Sequence, residues 1–513
     1  MRFQRACGVL LHPTSLPGPY GIGGLGSEAR RYLEWLAQAG VSWWQVLPLA
    51  PPGPGDSPYA ATSSSAGSPL LLSLGELVGD GLLRPEDLHQ APALPDTFVD
   101  FESVRSFKGA MLRRAWGRFR DGAAPNLIEE LPAFRLAQSA WLSDYTLFAA
   151  IRRAHDDRPW WEWPLELALH DDAALAAWRR EHSEQVAFEE FCQLLFDRQW
   201  KQLRTHAASL GIRVLGDLPI YVAEDSSDVW AHRDLFELDP SGRPTAVAGV
   251  PPDYFSEDGQ LWGNPLYDWA ANARTGYRWW TERMRRALDL ADAVRIDHFR
   301  GFAGYWAIPA GATSAKLGAW LPGPGRALFD ALGRELGELP LVAEDLGVIT
   351  PDVEALRDEL GLPGMAVLQF AFSPAPRSTF LPYSHRSDMV VYTGTHDNNT
   401  TLGWYLGDAF EGERDFFRRY AVTDAHEPHW DMVRLALASV ADLAVIPHQD
   451  IAGLGTDCRM NTPSEPEGNW RFRITDWMMS DWHALRLGEL VELYGRKPAP
   501  AAEPEEAPIP QAL

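Results

Sequence analysis

The chain has 513 residues, of which 70 are acidic and 46 basic, giving a formal net charge of −24. That excess argues against nucleic acid and anionic membrane surfaces as partners, since both reward basic patches. With 46% apolar and 23% charged residues the composition is globular, and the length corresponds to roughly three domain-equivalents.

The chain opens with a basic stretch, Met1 to Arg5, and an apolar run from Cys7 to Leu11 that His12-Pro13 stops. That run is too short for the core of a secretory leader, and no stretch approaches the roughly 20 apolar residues that span a bilayer. The expectation is a soluble, cytoplasmic protein. Residues 8–11 end at His12 and residues 41–47 at Pro48; both read as short buried strands. Between them Ser27 can cap a helix through Gln38, with Tyr32, Leu33, Leu36 and Ala37 at helical spacing and Gly40 as the stop. Gly21 to Gly26 match the G-x-G-x-x-G pattern. However, Pro13 to Tyr20 intervene after the strand, and the next strand ends in Leu47-Pro48 rather than a ribose-binding acid, which favours a tight loop over a dinucleotide site.

About 160 residues then separate the second strand from the third, with helical stretches such as 187–208, so residues 61–205 read as an inserted, mainly helical subdomain. Further strands are expected at 212–216, ending at Asp217, and at 293–296, ending at Asp297. Others follow at 341–343, ending at Glu344, at 365–368, and at 389–392, which leads into Thr393 to Asp397. Helices are expected at 279–290 and 351–360. Alternating strands and helices imply a right-handed parallel α/β fold. Polar residues at many strand ends favour a (β/α)8 TIM barrel, whose sites lie at the C-terminal face. The barrel would take residues 1–60 and 206–496. Residues 223–270, rich in Pro, Gly, Asp and aromatics, would form long loops over its mouth, and 497–513 a disordered tail.

Three acidic clusters could carry chemistry. Arg295 and Asp297 share a face of one strand, where the guanidinium would lower the acid's pKa and keep it ionised as a nucleophile requires. A buried ion pair closing the barrel is the competing reading. Glu344 ends an apolar strand with Asp345 beside it; burial and like charge would raise its pKa, as a general acid needs. It could equally cap the helix that starts at Pro351. His396, Asp397 and Asn398 could hold sugar hydroxyls, or form an Asx-rich turn. Asp297, Glu344 and Asp397 at separate strand ends would converge in a barrel, as the carboxylates of glycosidases do. The histidines His12, His298 and His396 are isolated, and Cys7, Cys192 and Cys458 have no paired spacing, so neither a metal site nor a disulfide framework is indicated. Tyr254, Gln260, Trp262 and Asn264 lie in a loop that offers flat apolar faces and amide groups to sugars, or packs on itself. Asp56 to Tyr59 invite the same two readings. Trp is in surplus, at 22 residues, and Trp43 and Trp44 are expected in the core.

The chain resembles the amylomaltase family, the disproportionating 4-alpha-glucanotransferases of the α-amylase superfamily. The resemblance runs from about residue 8 to residue 496. It rests on Leu11-His12-Pro13-Thr14-Ser15-Leu16-Pro17-Gly18, Gly55-Asp56-Ser57-Pro58-Tyr59, Gly216-Asp217-Leu218-Pro219-Ile220-Tyr221-Val222 and Leu261-Trp262-Gly263-Asn264-Pro265. It rests also on the three acidic motifs, on the stretch from Gly364 to Phe372, and on Arg459-Met460-Asn461. The resemblance implies that Asp297 is the nucleophile, Glu344 the general acid/base and Asp397 the acid that stabilises the transition state. It implies that Tyr59, Asp217, Arg295, His298 and His396 line the adjoining sugar subsite, and that Gln260, Trp262 and Asn461 serve the acceptor side and lid. It implies no redox cofactor and no catalytic metal. The substrates would be α-1,4-glucans and maltooligosaccharides, and the protein a monomer or small homo-oligomer. Departures from the family pattern at Gly24, Ser68, Asn399, Ser464 and Phe472 touch none of the three acids. An α-glucan hydrolase of the same fold, a metal-dependent barrel hydrolase and a non-catalytic glucan-binding protein are the alternatives.

Overall fold

The computed structural model describes residues 3–252, 258–373, 378–463 and 465–498. The first two strands are β1, Ala6–Leu10, and β2, Trp43–Gln45. They are followed by β3, Arg213–Pro219, β4, Ala246–Val250, β5, Gln260–Pro265, and β6, Ala293–Asp297. Next come β7, Gly304–Pro309, β8, Ala319–Pro322, and β9, Leu341–Ala343. The last are β10, Gly364–Val367, β11, Met389–Tyr392, and β12, Leu443–Pro447. Eight of these form one parallel sheet in the order β10-β11-β12-β1-β2-β3-β6-β9. The N–H of Ala343 on β9 donates to the carbonyl of Pro363, just before β10, at 2.9 Å, which brings the two edges together. The fold is a (β/α)8 barrel. Its strands are buried on both faces, as β1 and β12 show at every position, and this is why they read as continuous apolar runs.

All but one of the barrel strands coincide with the apolar runs identified from sequence. The exception, β12, follows an Ala- and Leu-rich helix, Pro428–Ala438, so its apolar character merges with that of the helix. The helix Ser27–Gln38 forms as expected, but its cap is Gly26, and Ser27 is its first residue. Gly40 follows the helix at φ +68°, the left-handed turn that a glycine adopts without strain. The loop from Gly21 to Gly26 is a packed turn. The N–H of Gly23 donates to the carbonyl of Thr14 at 2.9 Å, and a side chain at 23 would collide with Pro13.

Between β2 and β3 the chain is helical, ending in the 27-residue helix Ser183–Ser209. The stretch 223–270 is not only loop. It contributes β4 and β5 to a second, antiparallel sheet in the order β5-β4-β7-β8, which recruits the hairpin 304–322. The sequence hides this because β4 and β5 both contain glycine, and the strands that complete their sheet lie beyond β6. Trp43 and Trp44 are core residues, at 3% and 0% exposure. Cys7 and Cys192 are buried, Cys458 is half-buried, and all three are free. Among the described residues no helix is long and apolar enough to cross a membrane. The expected tail from residue 499 onward, and Ser464, lie outside the described residues.

Candidate active site

Neighbouring parallel strands place the first cluster. Asp217 on β3 is in register with Arg295 on β6, and period-two alternation puts Asp297 on the same face as Arg295. Arg295 Nε donates to both oxygens of Asp217 at 3.1 Å, and Nη2 donates to Asp217 Oδ2 at 2.8 Å and to Asp297 Oδ1 at 2.9 Å. The Tyr59 hydroxyl donates to Asp217 Oδ2 at 2.6 Å. The Asp217 side chain is 0% exposed, so it orients Arg295 and Tyr59 and offers no surface to a sugar, a narrower role than lining the subsite. The Asp297 side chain is 29% exposed and reaches the open cleft.

The buried pair expected between Arg295 and Asp297 forms instead between Arg295 and Asp217, and the same guanidinium also grips the accessible Asp297. The expected lowering of the Asp297 pKa does not follow. Burial outweighs Arg295, and Asp217 and Asp397 add like charge, so the carboxyl is raised to about 7.

Glu344 stands just past β9, the strand beside β6. Its Oε2 accepts the His298 N–H at 2.7 Å and its Oε1 the Leu346 N–H at 3.0 Å. Burial, then the charge of Asp297, raises its pKa to about 8. The sequence assigned that like charge to Asp345, but Asp345 turns away to accept from Met365 N–H at 2.7 Å and to pair with Arg357. The acid that perturbs Glu344 comes from another strand. His298, at φ +54°, takes the left-handed conformation that is costly for a residue with a Cβ. The turn aims its N–H at Glu344 directly after Asp297. Burial, then Arg300, lowers its imidazole to about 3, so the ring is neutral, and its Nε2 has no partner among the described residues.

Asp397 completes the cluster. Asn398 Oδ1 accepts the Thr395 N–H and hydroxyl, both at 2.9 Å, and this backward bond, not an Asx turn, closes the loop that presents Asp397, whose side chain is 44% exposed. Asn461 Nδ2 donates to Asp397 Oδ1 at 2.6 Å, and His396 Nε2 lies 3.4 Å from the same oxygen. Tyr59 stacks on His396 with ring centres 5.0 Å apart, and Trp470 lies 5.6 Å from Tyr59 and 5.9 Å from His396. The sequence reading missed Trp470. Its contacts come from residues far away in the chain, and no local pattern marks it.

On the other side Trp262, 37% exposed, meets the edge of His298 at 4.7 Å, and Gln260 Oε1 accepts its indole N–H at 3.0 Å. Asn264 has a structural bond as well: its Nδ2 donates to the Val222 carbonyl at 2.9 Å and ties β5 to the chain after β3. Tyr254 lies outside the described residues. Among the described residues no three His, Cys, Asp or Glu side chains are grouped to hold a metal ion. The cleft thus joins a guanidinium-bound carboxyl to a second carboxyl, both raised by burial and by the charge of neighbouring acids. Such a pair can hold one proton between them, with one member attacking while the other donates.

The buried pair makes a testable demand on the fold. Replacing Arg295 with Met should cost about 3–5 kcal/mol of stability, because Asp217 would be left enclosed without the guanidinium that it accepts from. Thermal unfolding measures it, and a loss below about 1 kcal/mol would mean that the buried pair does not hold the fold.

A family model described as 4-alpha-glucanotransferase matches residues 11–479. The chain is 49% identical over 500 residues to the 4-alpha-glucanotransferase of Thermus thermophilus, covering 96% of this chain and 99% of that protein. It is 46% identical to the 4-alpha-glucanotransferase of Synechocystis, covering 96% of this chain and 98% of that protein. Among solved structures it is similar to the amylomaltase from Streptococcus agalactiae in complex with acarbose. The TM-score is 0.93 at 34% identity, covering 96% of this chain and all of that one.

Proposed function

From the premise that this chain belongs to the 4-alpha-glucanotransferase family, we propose that Asp297, Glu344 and Asp397 carry out the transfer by a retaining double displacement. The enzyme is a glycosyltransferase that moves glucan segments from a donor to the 4-hydroxyl of an acceptor. The observation that best supports these roles is the pairing of Asp297, bound to Arg295, with Glu344 on the adjacent strand.

Asp297 attacks the anomeric carbon, and the glycosidic C–O bond breaks as Glu344 gives its proton to the leaving oxygen. The leaving glucan departs with that proton, and a glycosyl ester on Asp297 remains. The acceptor's 4-hydroxyl then gives its proton to Glu344 and attacks the same carbon, and the ester bond to Asp297 breaks. Two inversions return the α configuration. Positive charge gathers on the sugar ring in both transition states, where the exposed carboxylate of Asp397 opposes it. The neutral His298 and the amide of Asn461 offer hydrogen-bonding groups to hydroxyls of the sugar. Transfer rather than hydrolysis requires that a glucan outcompete water for the glycosyl-enzyme. Every ~1.4 kcal/mol of acceptor binding realised in the transition state changes that ratio tenfold. Trp262, aromatic and exposed beside His298, supplies such binding surface. Alpha-1,4-glucans are the substrates, as acarbose bound to the Streptococcus agalactiae relative supports.

Incubation with maltotriose alone tests the reading. Glucose and a ladder of longer maltooligosaccharides should appear with little gain in reducing ends. A rise in reducing ends without longer products would identify a hydrolase.

A further inference from the structure

We propose that Trp320 is a distal acceptor subsite, a platform on which a long α-1,4-glucan acceptor stacks beyond the sugar that reacts. This rests on the transferase reading above and names where that site extends. Trp320 lies on β8, the outer strand of the antiparallel sheet, and every residue of that strand is exposed. An indole at such an edge is ordinarily a liability, since it displays apolar area to water beside unpaired backbone groups. Here it is held in one orientation. The Arg300 guanidinium stacks on it at 3.7 Å, and Trp306, its cross-strand partner on β7, meets it edge-on at 5.2 Å and 67°. Trp306 is itself fixed, because its indole N–H donates to the Ala315 carbonyl at 2.8 Å and its ring fills the space over Gly318. One face of Trp320 is thus backed by a cation while the residue remains 41% exposed.

One of its supports, Arg300, belongs to the chain segment that follows a catalytic acid. Arg300 sits in the turn that follows Asp297, and its guanidinium donates to the carbonyl of Val348, in the loop that carries Glu344 away from β9. Arg300 thus links the platform to the segments that carry Asp297 and Glu344, and the acceptor enters on the Glu344 side. The occupant is a neutral, ring-bearing chain. A flat indole backed by a guanidinium suits the C–H face of a sugar, and its prior rotational fixing lowers the entropy lost on binding.

The test uses a labelled donor whose non-reducing 4-hydroxyl is blocked, so that it cannot itself accept. Label transfer is measured to maltoheptaose and to glucose. In Trp320→Ala the ratio of kcat/KM for maltoheptaose to that for glucose should fall about tenfold, with Trp320→Phe restoring most of it. A purely structural Trp320 would lower both values together, and an unchanged ratio overturns the proposal. Trp320→Leu keeps apolar bulk on Arg300 without a flat ring and should behave as the Ala variant does, which guards against a folding defect. Calorimetric binding of maltoheptaose to Glu344→Gln enzyme, with and without Trp320→Ala, reads the platform without turnover. Equal affinities there also overturn it. Wild-type enzyme that transfers label to neither acceptor would instead defeat the transferase reading.

Discussion

Asp297→Asn is expected to lower transfer by at least about 10⁴-fold while the protein stays folded. The substitution keeps shape and one carbonyl oxygen, so Arg295 can still donate to residue 297 as it does at 2.9 Å in the native protein. The lost element is the negative oxygen that must bond to the anomeric carbon. An amide cannot form the glycosyl ester, and the remaining groups stabilise a transition state that has no attacking partner. Release of glucose from maltotriose measures the loss, and circular dichroism and thermal unfolding confirm the fold. Residual transfer above about 1% of wild type would remove Asp297 from the nucleophile role, since general acid–base help by itself contributes only ~10²–10⁴-fold.

Glu344→Gln should reduce turnover of maltooligosaccharides by about 10²–10⁴-fold, and the loss should depend on the leaving group. With a maltotriosyl fluoride donor the C–F bond breaks and fluoride departs without a proton, so the first displacement should recover. The second step still lacks its base. The glycosyl ester on Asp297 should therefore accumulate in this variant and be visible in the mass of the intact protein. The same variant carries the pH prediction. Asp297 must be ionised to attack, so activity is lost as pH falls through its raised pKa of about 7. Glu344 must be protonated to donate, so activity is also lost as pH rises through its pKa of about 8. The wild-type kcat/KM profile should be a narrow bell, and Glu344→Gln with the fluoride donor should lose the alkaline limb. Persistence of that limb would assign it to another group.

Much of this was legible in residue order. The barrel strands are apolar because both of their faces are covered, and that pattern needs only neighbouring residues to be seen. Asp297, Glu344 and Asp397 each follow such a run, so their position at the C-terminal barrel face was already implied. The pairing of Arg295 with Asp297 follows from a spacing of two on a strand. The spacing could not reveal Asp217 as the second partner of Arg295, because β3 and β6 are neighbours only in the sheet. Nor could it show that Asn264 would bond to Val222, or that Trp470 would join Tyr59 and His396.

The local sequence therefore determined which residues carry acid and where along each strand they stand. Tertiary structure decided their charge states. A pKa answers to burial and to charges within a few ångströms, whatever their distance along the chain. This is why reasoning from neighbours lowered Asp297 and credited Asp345 with raising Glu344. Burial by the assembled cleft raises Asp297, and Asp297 itself, from the adjacent strand, helps to raise Glu344. The antiparallel sheet at the mouth has the same origin: β4 and β5 pair with each other, and the sheet is completed only when β7, from beyond β6 in the chain, pairs with β4 and carries β8 with it.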